Sequence, residues 1–455
     1  SDSGSSSNLL MISPLIDERT GWRGNQPAAT GRAAYRYPEA HYPRQIPAGE
    51  VPVYAQGSTE APDSTVGSNP ITYLVAEHRP DLVPLQELYI FYHANPELSN
   101  HEVETAAHIA KQLRGISPDL IIKTGIGGHG LTATLHNGEG PTGLLRADID
   151  ALPVLELTNL PYASRKRHRD VHGVDKPVMH ACGHDIHIVC LLGAARLLVG
   201  ARAAWAGTVV FLFQPAEERG TGAEAMVRDG LYDPERHAVP VPDVVLGGHV
   251  VPLRAGVNGT RRGLFATSAD SLKVTLHGKG AHASSPHKAV DPIVMASSVV
   301  LKLQTIASRE VDPADTAVVT VASVHAGDAE NVIADDAELA IDTRSISPSM
   351  RERVLARIIS IVQAESLSSQ ATQEPTIKTT RSYPLTVNGA ATTARLEEAF
   401  AAQFREATGQ YQRDIRRLSG SEDFSILASS VEKPYCFFSL GGIDQDVWDE
   451  AEASG

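Results

Sequence analysis

The sequence predicts an α/β fold in which a mainly parallel sheet carries an inserted, smaller domain. Continuous apolar runs at residues 208–213 and 244–248 have the pattern of strands that are buried on both faces. Strands and helices alternate between residues 131 and 249, which is typical of a parallel sheet covered by helices. After Gly263 the order becomes strand-helix-strand-strand-helix-strand, the order of a ferredoxin-like domain.

Apolar periodicity places the elements in order along the chain. Residues 272–276 alternate strictly between apolar and polar, so one face of their sheet should meet water. Gly230 closes a predicted helix, as glycine often does. Helices are expected over residues 71–95, 102–113, 186–198, 222–229, 292–306 and 350–365. Strands are expected over residues 131–135, 143–148, 208–213, 244–249, 272–276, 317–324, 338–344 and 376–380.

The length of the chain predicts more than one domain, because 455 residues exceed what one hydrophobic core usually fills. Residues 1–70 are rich in Ser, Pro, Gly and Ala without a sustained period, so we interpret them as an irregular N-terminal arm. A larger, discontinuous domain is expected over residues 71–263 and 382–455. Residues 264–381 form the inserted domain.

Composition excludes several classes of partner. The net charge of −14 argues against nucleic-acid binding, and the basic residues 165–169 are interpreted as a solvated loop. No apolar run approaches the ~18 residues of a membrane helix, so no membrane association is expected. Three cysteines favour a reducing compartment, and we expect a cytoplasmic location. The chain begins with Ser and shows no signal peptide, so a processed or trimmed N-terminus is expected.

The residues with metal-binding chemistry follow predicted strands or open a helix. Cys182 and His184 are separated by one glycine, so both side chains can point into one cleft. A thiolate and an imidazole together suit zinc and neighbouring divalent metals. The carboxyl ends of parallel strands meet at one edge of a sheet, where one or two metal ions are expected. The residues expected at this edge are Asp148, Asp150, Cys182, His184, Glu217, Glu218 and His249.

The adjacent carboxylates Glu217 and Glu218 are predicted to have different roles. One would bind metal, and the other would accept the proton of a metal-activated water and pass it to a leaving amine. Alternatives remain open at this point, including a surface position for the pair. A cysteine hydrolase using Cys182 fits the residue types, but it leaves the paired carboxylates and His249 without a role.

Six segments resemble the co-catalytic metallopeptidases of the aminoacylase and carboxypeptidase type. Within that family the resemblance is to the branch of hippurate hydrolases and indole-acetyl-amino-acid hydrolases. The segments occur in family order over residues 90–440. They are His93-Ala-Asn-Pro-Glu-Leu98, Arg146-Ala-Asp-Ile-Asp-Ala-Leu-Pro153, Met179-His-Ala-Cys-Gly-His-Asp185, Phe213-Gln-Pro-Ala-Glu-Glu218, Gly278-Lys-Gly-Ala-His-Ala283 and Ser419-Gly-Ser-Glu-Asp-Phe424.

The resemblance implies a metal-binding catalytic domain with an inserted ferredoxin-like lid and dimerisation domain, and hence a homodimer. It implies a metal-dependent hydrolase that cleaves the amide bond of N-acyl amino acids or small peptide-like amides through a metal-activated water. Zn or Mn would be the metal, in one or two sites. The implied metal ligands are Cys182, His184, Glu218 and His249, with Asp148 and Asp150 orienting them. The other implied roles are general base and acid for Glu217, polarisation of the scissile carbonyl for His282, and binding of the substrate carboxylate for Asn331 and Arg344.

The lid residues have independent support in the sequence. His282 follows Gly278 and Gly280 in a predicted turn, and Arg344 ends a predicted strand. A guanidinium group at that position can bind a carboxylate through two parallel hydrogen bonds. Surface positions for both side chains remain the alternative.

One departure from the family pattern concerns the end of the chain. Relatives have a further metal ligand, a histidine in a short His-x-Pro segment beyond the Ser-Glu-Asp-Phe motif. No histidine follows Phe424 in this sequence, which stops at Gly455. Either the chain is truncated, or the protein is a binding or regulatory homologue with impaired catalysis.

Overall fold

The computed structural model of the protein describes residues 70–170, 173–404 and 409–454. The predicted N-terminal arm, residues 1–70, lies outside the described residues except for Pro70. The described residues belong to one compact unit. None of the helices in these ranges combines the length and apolar character that crossing a bilayer requires.

The first part of the described chain alternates helices and strands. Its helices are α1 (Pro70–His78), α2 (Val83–Ala94), α3 (Val103–Ile116), α4 (His184–Gly200) and α5 (Gly222–Arg228). Its strands are β1 (Ile121–Ile126), β2 (Gly130–Asn137), β3 (Thr142–Asp148), β4 (Arg167–Arg169), β5 (Asp175–Pro177), β6 (Gly207–Gln214), β7 (Val244–Arg254), β8 (Asn258–Gly259) and β9 (Gly263–Ala266).

The middle part contains the lid elements. They are β10 (Ser268–His277), β11 (Ala281–His282), α6 (Pro292–Thr305), β12 (Ala317–His325), β13 (Val332–Ile333), β14 (Asp336–Ser345), α7 (Pro348–Ser368) and β15 (Thr376–Tyr383). The chain then returns through β16 (Thr386–Asn388), α8 (Ala390–Phe404), β17 (Tyr411–Gln412), α9 (Ile426–Ser429), β18 (Tyr435–Ile443) and α10 (Gln445–Ser454).

The large sheet has the order β1-β2-β6-β3-β7-β18-β8-β17. Its central strands β6, β3, β7 and β18 are parallel, which confirms the mainly parallel sheet of the prediction. Alternate residues of β6 face opposite sides. Phe211 and Phe213 pack in a core with α2, α3 and α4, whereas Val210 and Leu212 pack against α5 and α9. This two-sided burial explains the continuous apolar run.

The lid sheet has the order β12-β14-β10-β15 with every pair antiparallel, which confirms the ferredoxin-like prediction. Leu272, Val274 and Leu276 of β10 point into a core beneath α6 and α7, while Lys273 is exposed. Both helices begin at a capping side chain. Asp291 accepts hydrogen bonds from the first turn of α6, and Ser347 accepts one from the first turn of α7.

Two predicted elements differ from the structure. The single helix expected over residues 71–95 is two helices, α1 and α2, because Pro80 lacks a backbone N–H and disfavours helical geometry in the residue before it. The strand expected to end at His249 continues to Arg254, because β18 pairs with it in parallel up to Ile443. His249 therefore lies within a strand.

Candidate metal centre

The parallel strands bring the predicted site residues to one edge of the large sheet. Asp148, the last residue of β3, is in register with Gln214, the last residue of β6. Arg146 is in register with Gly247 of β7, so His249 lies at the same edge two residues further along. The turn after β6 holds Glu217 and Glu218, which completes the set at this edge.

The turn between Cys182 and His184 depends on Gly183, the residue that precedes α4. Gly183 has a φ of 80°, and a Cβ atom there would lie 2.2 Å from Cγ1 of Val250. Only glycine fits this combination of left-handed backbone and close packing. As a result, the ligating atoms of Cys182, His184 and His249 all lie within 4.8 Å of one another.

Hydrogen bonds orient the two imidazole rings. Nδ1 of His184 is 3.2 Å from Oδ1 of Asp150, and Nδ1 of His249 is 2.6 Å from the carbonyl oxygen of Val250. A carboxylate and a carbonyl only accept hydrogen bonds, so each Nδ1 carries a proton, and Nε2 is the nitrogen that the neutral form of each ring offers to a metal ion. Nε2 of His249 lies 3.6 Å from Sγ of Cys182.

The paired carboxylates approach the same imidazole. Nε2 of His184 lies 3.9 Å from Oε2 of Glu217 and 3.8 Å from Oε1 of Glu218. Burial, followed by the neighbouring carboxylate of Glu422, raises the pKa of Glu217 well above its ordinary value. Burial raises the pKa of Glu218 to about 7. Such a concentration of buried acids calls for a compensating positive charge.

The residues present fit a divalent metal ion. Among the described residues, Nε2 of His184 and Oε1 of Glu218 are buried atoms without a hydrogen-bond partner. Buried polar atoms of this kind are rare unless water or an ion satisfies them. Sulfur, imidazole nitrogen and carboxylate oxygen donors together suit Zn or Mn. The donor groups around His184 overlap, and they have the composition to hold one or two ions.

The carboxylate of Asp148 accepts hydrogen bonds from the side chains of His187 and Arg146. Its Oδ1 lies 2.6 Å from Nδ1 of His187, and its Oδ2 accepts a hydrogen bond of 2.7 Å from Nη1 of Arg146. Nε2 of His187 accepts from the backbone N–H of Val250, which fixes the proton on Nδ1. Arg146 also donates to Oε1 of Glu422 at 2.8 Å. The arrangement links the strand edge to the Ser-Glu-Asp-Phe motif.

The three predicted lid residues do not join the donor groups. His282 is exposed, and its Nδ1 accepts from the backbone N–H of Ser284 at 3.1 Å. Asn331 is exposed beside it, and its backbone carbonyl oxygen accepts a hydrogen bond from the backbone N–H of Ala283. Arg344 reaches the Ser-Glu-Asp-Phe motif, where its Nη1 lies 3.4 Å from Oγ of Ser421.

The sequence did not identify several residues that surround the site. Arg146 and Glu422 lie inside recognised motifs, so their charge and position were visible, but their pairing over 276 positions was not. Glu102 accepts a hydrogen bond from the N–H of Ala216, next to Glu217, and Tyr383 donates to the carbonyl of Glu217. No local pattern signals such long-range contacts.

Comparison with known proteins identifies the family. Residues 144–453 match the model of peptidase family M20/M25/M40. The chain belongs to this family. It is 34% identical over 392 residues to N-acetyl-L-cysteine deacetylase of Bacillus subtilis, covering 84% of this chain and 87% of the relative.

Two further relatives agree. The chain is 34% identical over 347 residues to hippurate hydrolase of Campylobacter jejuni, covering 76% of this chain and 85% of the relative. A crystal structure of the YXEP protein of Bacillus subtilis, described as a dinuclear metal-binding peptidase of the M20 family, matches with a TM-score of 0.61 and 28% identity. That match covers 81% of this chain and 94% of the other. Family membership confirms the resemblance and the predicted enzyme class, a metal-dependent hydrolase of C–N amide bonds.

Proposed function

We propose that the protein hydrolyses the amide bond of N-acyl amino acids or small peptide-like amides with the help of one or two divalent metal ions. The observation that carries the proposal is the buried group of thiol, imidazole and carboxylate donors at the sheet edge, where atoms of His184 and Glu218 have no hydrogen-bond partner among the described residues. A relative that deacetylates N-acetyl-L-cysteine and another that hydrolyses hippurate support this class of substrate.

In the proposed mechanism, Cys182, His184, Glu218 and His249 would hold the metal, while Asp150 and Asp148 keep their neighbours oriented. Bound metal ions would supply Lewis acidity and lower the pKa of water. Glu217 accepts a proton from the attacking water on a carboxylate oxygen as the carbon–oxygen bond forms. It then donates that proton to the amide nitrogen as the carbon–nitrogen bond breaks.

The lid residues bind and polarise the substrate in this proposal. Because Nδ1 of His282 accepts from the N–H of Ser284, the neutral ring carries its proton on Nε2. In this proposal that N–H donates to the oxygen of the scissile carbonyl, where negative charge develops. Arg344 and Asn331 bind the carboxylate of the substrate. The guanidinium of Arg344 already contacts Asp342 at 3.1 Å, which a substrate carboxylate would replace.

We assign catalysis to residues 71–263 and 382–455 and the lid role to residues 264–381, and we propose a homodimer formed by lid domains. The support is an apolar surface on the lid. Val294 and Leu301 are 63% and 72% exposed on one face of α6, and Val318 and Val324 are exposed on β12, the edge strand of the lid sheet. An apolar helix face beside an open strand edge suits a second copy of the lid.

We also propose that the protein resides in the cytoplasm. Cys182, Cys190 and Cys436 are all free thiols. Free thiols persist where the surroundings are reducing.

The proposal is tested by hydrolysis of a panel of N-acetyl and N-benzoyl amino acids by the metal-loaded protein. Activity should disappear with a chelator and return with Zn²⁺ or Mn²⁺. Hydrolysis that survives chelation but stops when Cys182 is alkylated would favour a cysteine hydrolase instead. Metal binding without hydrolysis of any of these amides would indicate a binding or regulatory homologue.

A further inference from the structure

We propose that Glu102 and Tyr383 are positioning residues that fix the backbone turn from which Glu217 projects. The inference rests on the proposed function, because it concerns the residue proposed as the general base. Glu102 precedes helix α3, and Tyr383 is the last residue of the lid strand β15. Glu102 and Tyr383 lie far apart in the sequence, but both contact the same turn.

The turn itself has an unfavourable backbone. Ala216 has a φ of 50° and a ψ of 37°, the left-handed conformation that residues with a Cβ atom rarely adopt. Such a conformation is unfavourable and persists only where the surroundings hold it. The conformation directs the next two residues, Glu217 and Glu218, towards His184.

Glu102 holds the first residue of the turn. Its Oε1 accepts a hydrogen bond of 2.8 Å from the backbone N–H of Ala216. The side chain is fully buried, so water cannot replace this acceptor. Its other oxygen, Oε2, has no hydrogen-bond partner in the described part of the chain. Only one oxygen of Glu102 therefore makes this hydrogen bond, and the side-chain amide oxygen of a glutamine could accept it equally well.

Tyr383 holds the second residue. Its hydroxyl donates a hydrogen bond of 3.0 Å to the carbonyl oxygen of Glu217. The ring also lies against Gly220, where an added Cβ atom would be 3.0 Å from the ring carbons. Strand β15 runs past the boundary assigned to the lid, and Tyr383 pairs there with Ala269, so the contact connects the lid sheet to the backbone of Glu217.

The third residue of the turn is held within the site. The N–H of Glu218 donates to Oδ2 of Asp150 at 3.0 Å. Each residue of the turn thus has one backbone group bonded to a side chain from another element. Fixing an acid–base group to within a fraction of an ångström matters, because a displacement of about 1 Å can cost about 100-fold in rate.

Tyr383→Phe and Tyr232→Phe provide a matched comparison. Tyr232 also donates from its hydroxyl to a backbone carbonyl, that of Leu427, at 2.8 Å and away from the site. Each variant loses one bond of the same kind and keeps its ring, so the two melting temperatures should fall similarly. We expect kcat to fall about 10- to 100-fold with an unchanged KM in Tyr383→Phe only.

Glu102→Ala and Glu102→Gln test the other contact. The alanine variant removes the acceptor, so kcat should fall about 10- to 100-fold while the metal content per chain is kept. The glutamine variant keeps an oxygen that can accept from Ala216, and it should restore kcat to near the wild-type value. Amide hydrogen exchange of a peptide covering residues 214–220 gives a readout without activity. Exchange should be faster in Glu102→Ala and Tyr383→Phe than in wild type and Tyr232→Phe.

The inference is overturned if Tyr383→Phe loses no more activity than Tyr232→Phe, or if exchange over residues 214–220 does not change. It is also overturned if Glu102→Gln is as impaired as Glu102→Ala. These outcomes leave the proposed function intact when wild type hydrolyses N-acyl amino acids and Glu217→Gln does not. A wild-type protein that hydrolyses none of them would refute both.

Discussion

The carboxylate of Asp150 bonds to His184 through one oxygen and to the backbone of Glu218 through the other. Oδ1 lies 3.2 Å from Nδ1 of His184, and Oδ2 accepts from the N–H of Glu218 at 3.0 Å. Ser99 also donates to Oδ2, at 2.6 Å. A single buried side chain therefore orients two of the residues that we propose as metal ligands.

Replacing Asp150 should weaken metal binding. In Asp150→Ala, His184 loses the acceptor that keeps its Nε2 lone pair towards the site, so we expect Zn²⁺ or Mn²⁺ affinity to fall about 10- to 100-fold. Calorimetric titration of the metal-free protein measures this. Asp243→Ala is the control, because Asp243 likewise accepts from a backbone N–H, that of Thr142, but away from the site. Equal affinities in wild type and Asp150→Ala would show that Asp150 does not orient a ligand.

Removal of the buried cation Arg146 should destabilise the fold. Its guanidinium bonds to Asp148 and Glu422, and these carboxylates would be left buried without their partner. We expect the free energy of unfolding of Arg146→Met to fall by about 3–5 kcal/mol in urea titration. Arg254→Met, which breaks the exposed pair with Asp449, should have a much smaller effect. Similar losses in the two variants would show that the buried guanidinium of Arg146 does not stabilise the fold more than an exposed ion pair does.

Metal removal should lower stability because the metal binds the folded chain. A metal concentration of 100 times Kd should raise the free energy of unfolding by about 2.7 kcal/mol over the metal-free protein. The melting temperature should therefore rise with added Zn²⁺ or Mn²⁺. In His184→Ala, which lacks the central imidazole of the donor groups, this dependence should be strongly reduced. A metal-independent melting temperature in wild type would argue against the proposed centre.

Most of the fold and the convergence of the site could be predicted from the sequence. Strand β6 is buried on both faces and β10 on one, so the two strands have different apolar patterns. The rule that parallel strands end at one edge then places Asp148 near Glu217. The position of His249 within β7 could not be predicted, because the partner that extends this strand, β18, lies about 190 residues away.

The hydrogen bonds that orient the site residues could not be predicted from the sequence. Arg146 with Glu422, and Tyr383 with Glu217, join distant parts of the chain through single side chains. Neither pair leaves a periodic or local pattern. The choice of ring proton in His249 likewise depends on the carbonyl of Val250, whose position only the folded backbone defines.

The apolar surface of the lid predicts how to separate the proposed dimer. Leu301→Glu places a charge on that exposed face of α6, so the variant should be monomeric while wild type is dimeric. Analytical ultracentrifugation measures both. Leu367→Glu is the control, because Leu367 is 82% exposed on the other lid helix, α7. A monomeric wild type, or a dimer that tolerates Leu301→Glu, would refute this interface.

The most direct test of the central claim measures metal content per chain together with hydrolysis in wild type and Glu217→Gln. Glutamine cannot take up the proton of the attacking water, but it leaves Cys182, His184, Glu218 and His249 in place. We expect Glu217→Gln to retain the metal content of wild type and to lose turnover by several orders of magnitude. Loss of metal from Glu217→Gln would instead make Glu217 a ligand and reverse the roles of the two carboxylates.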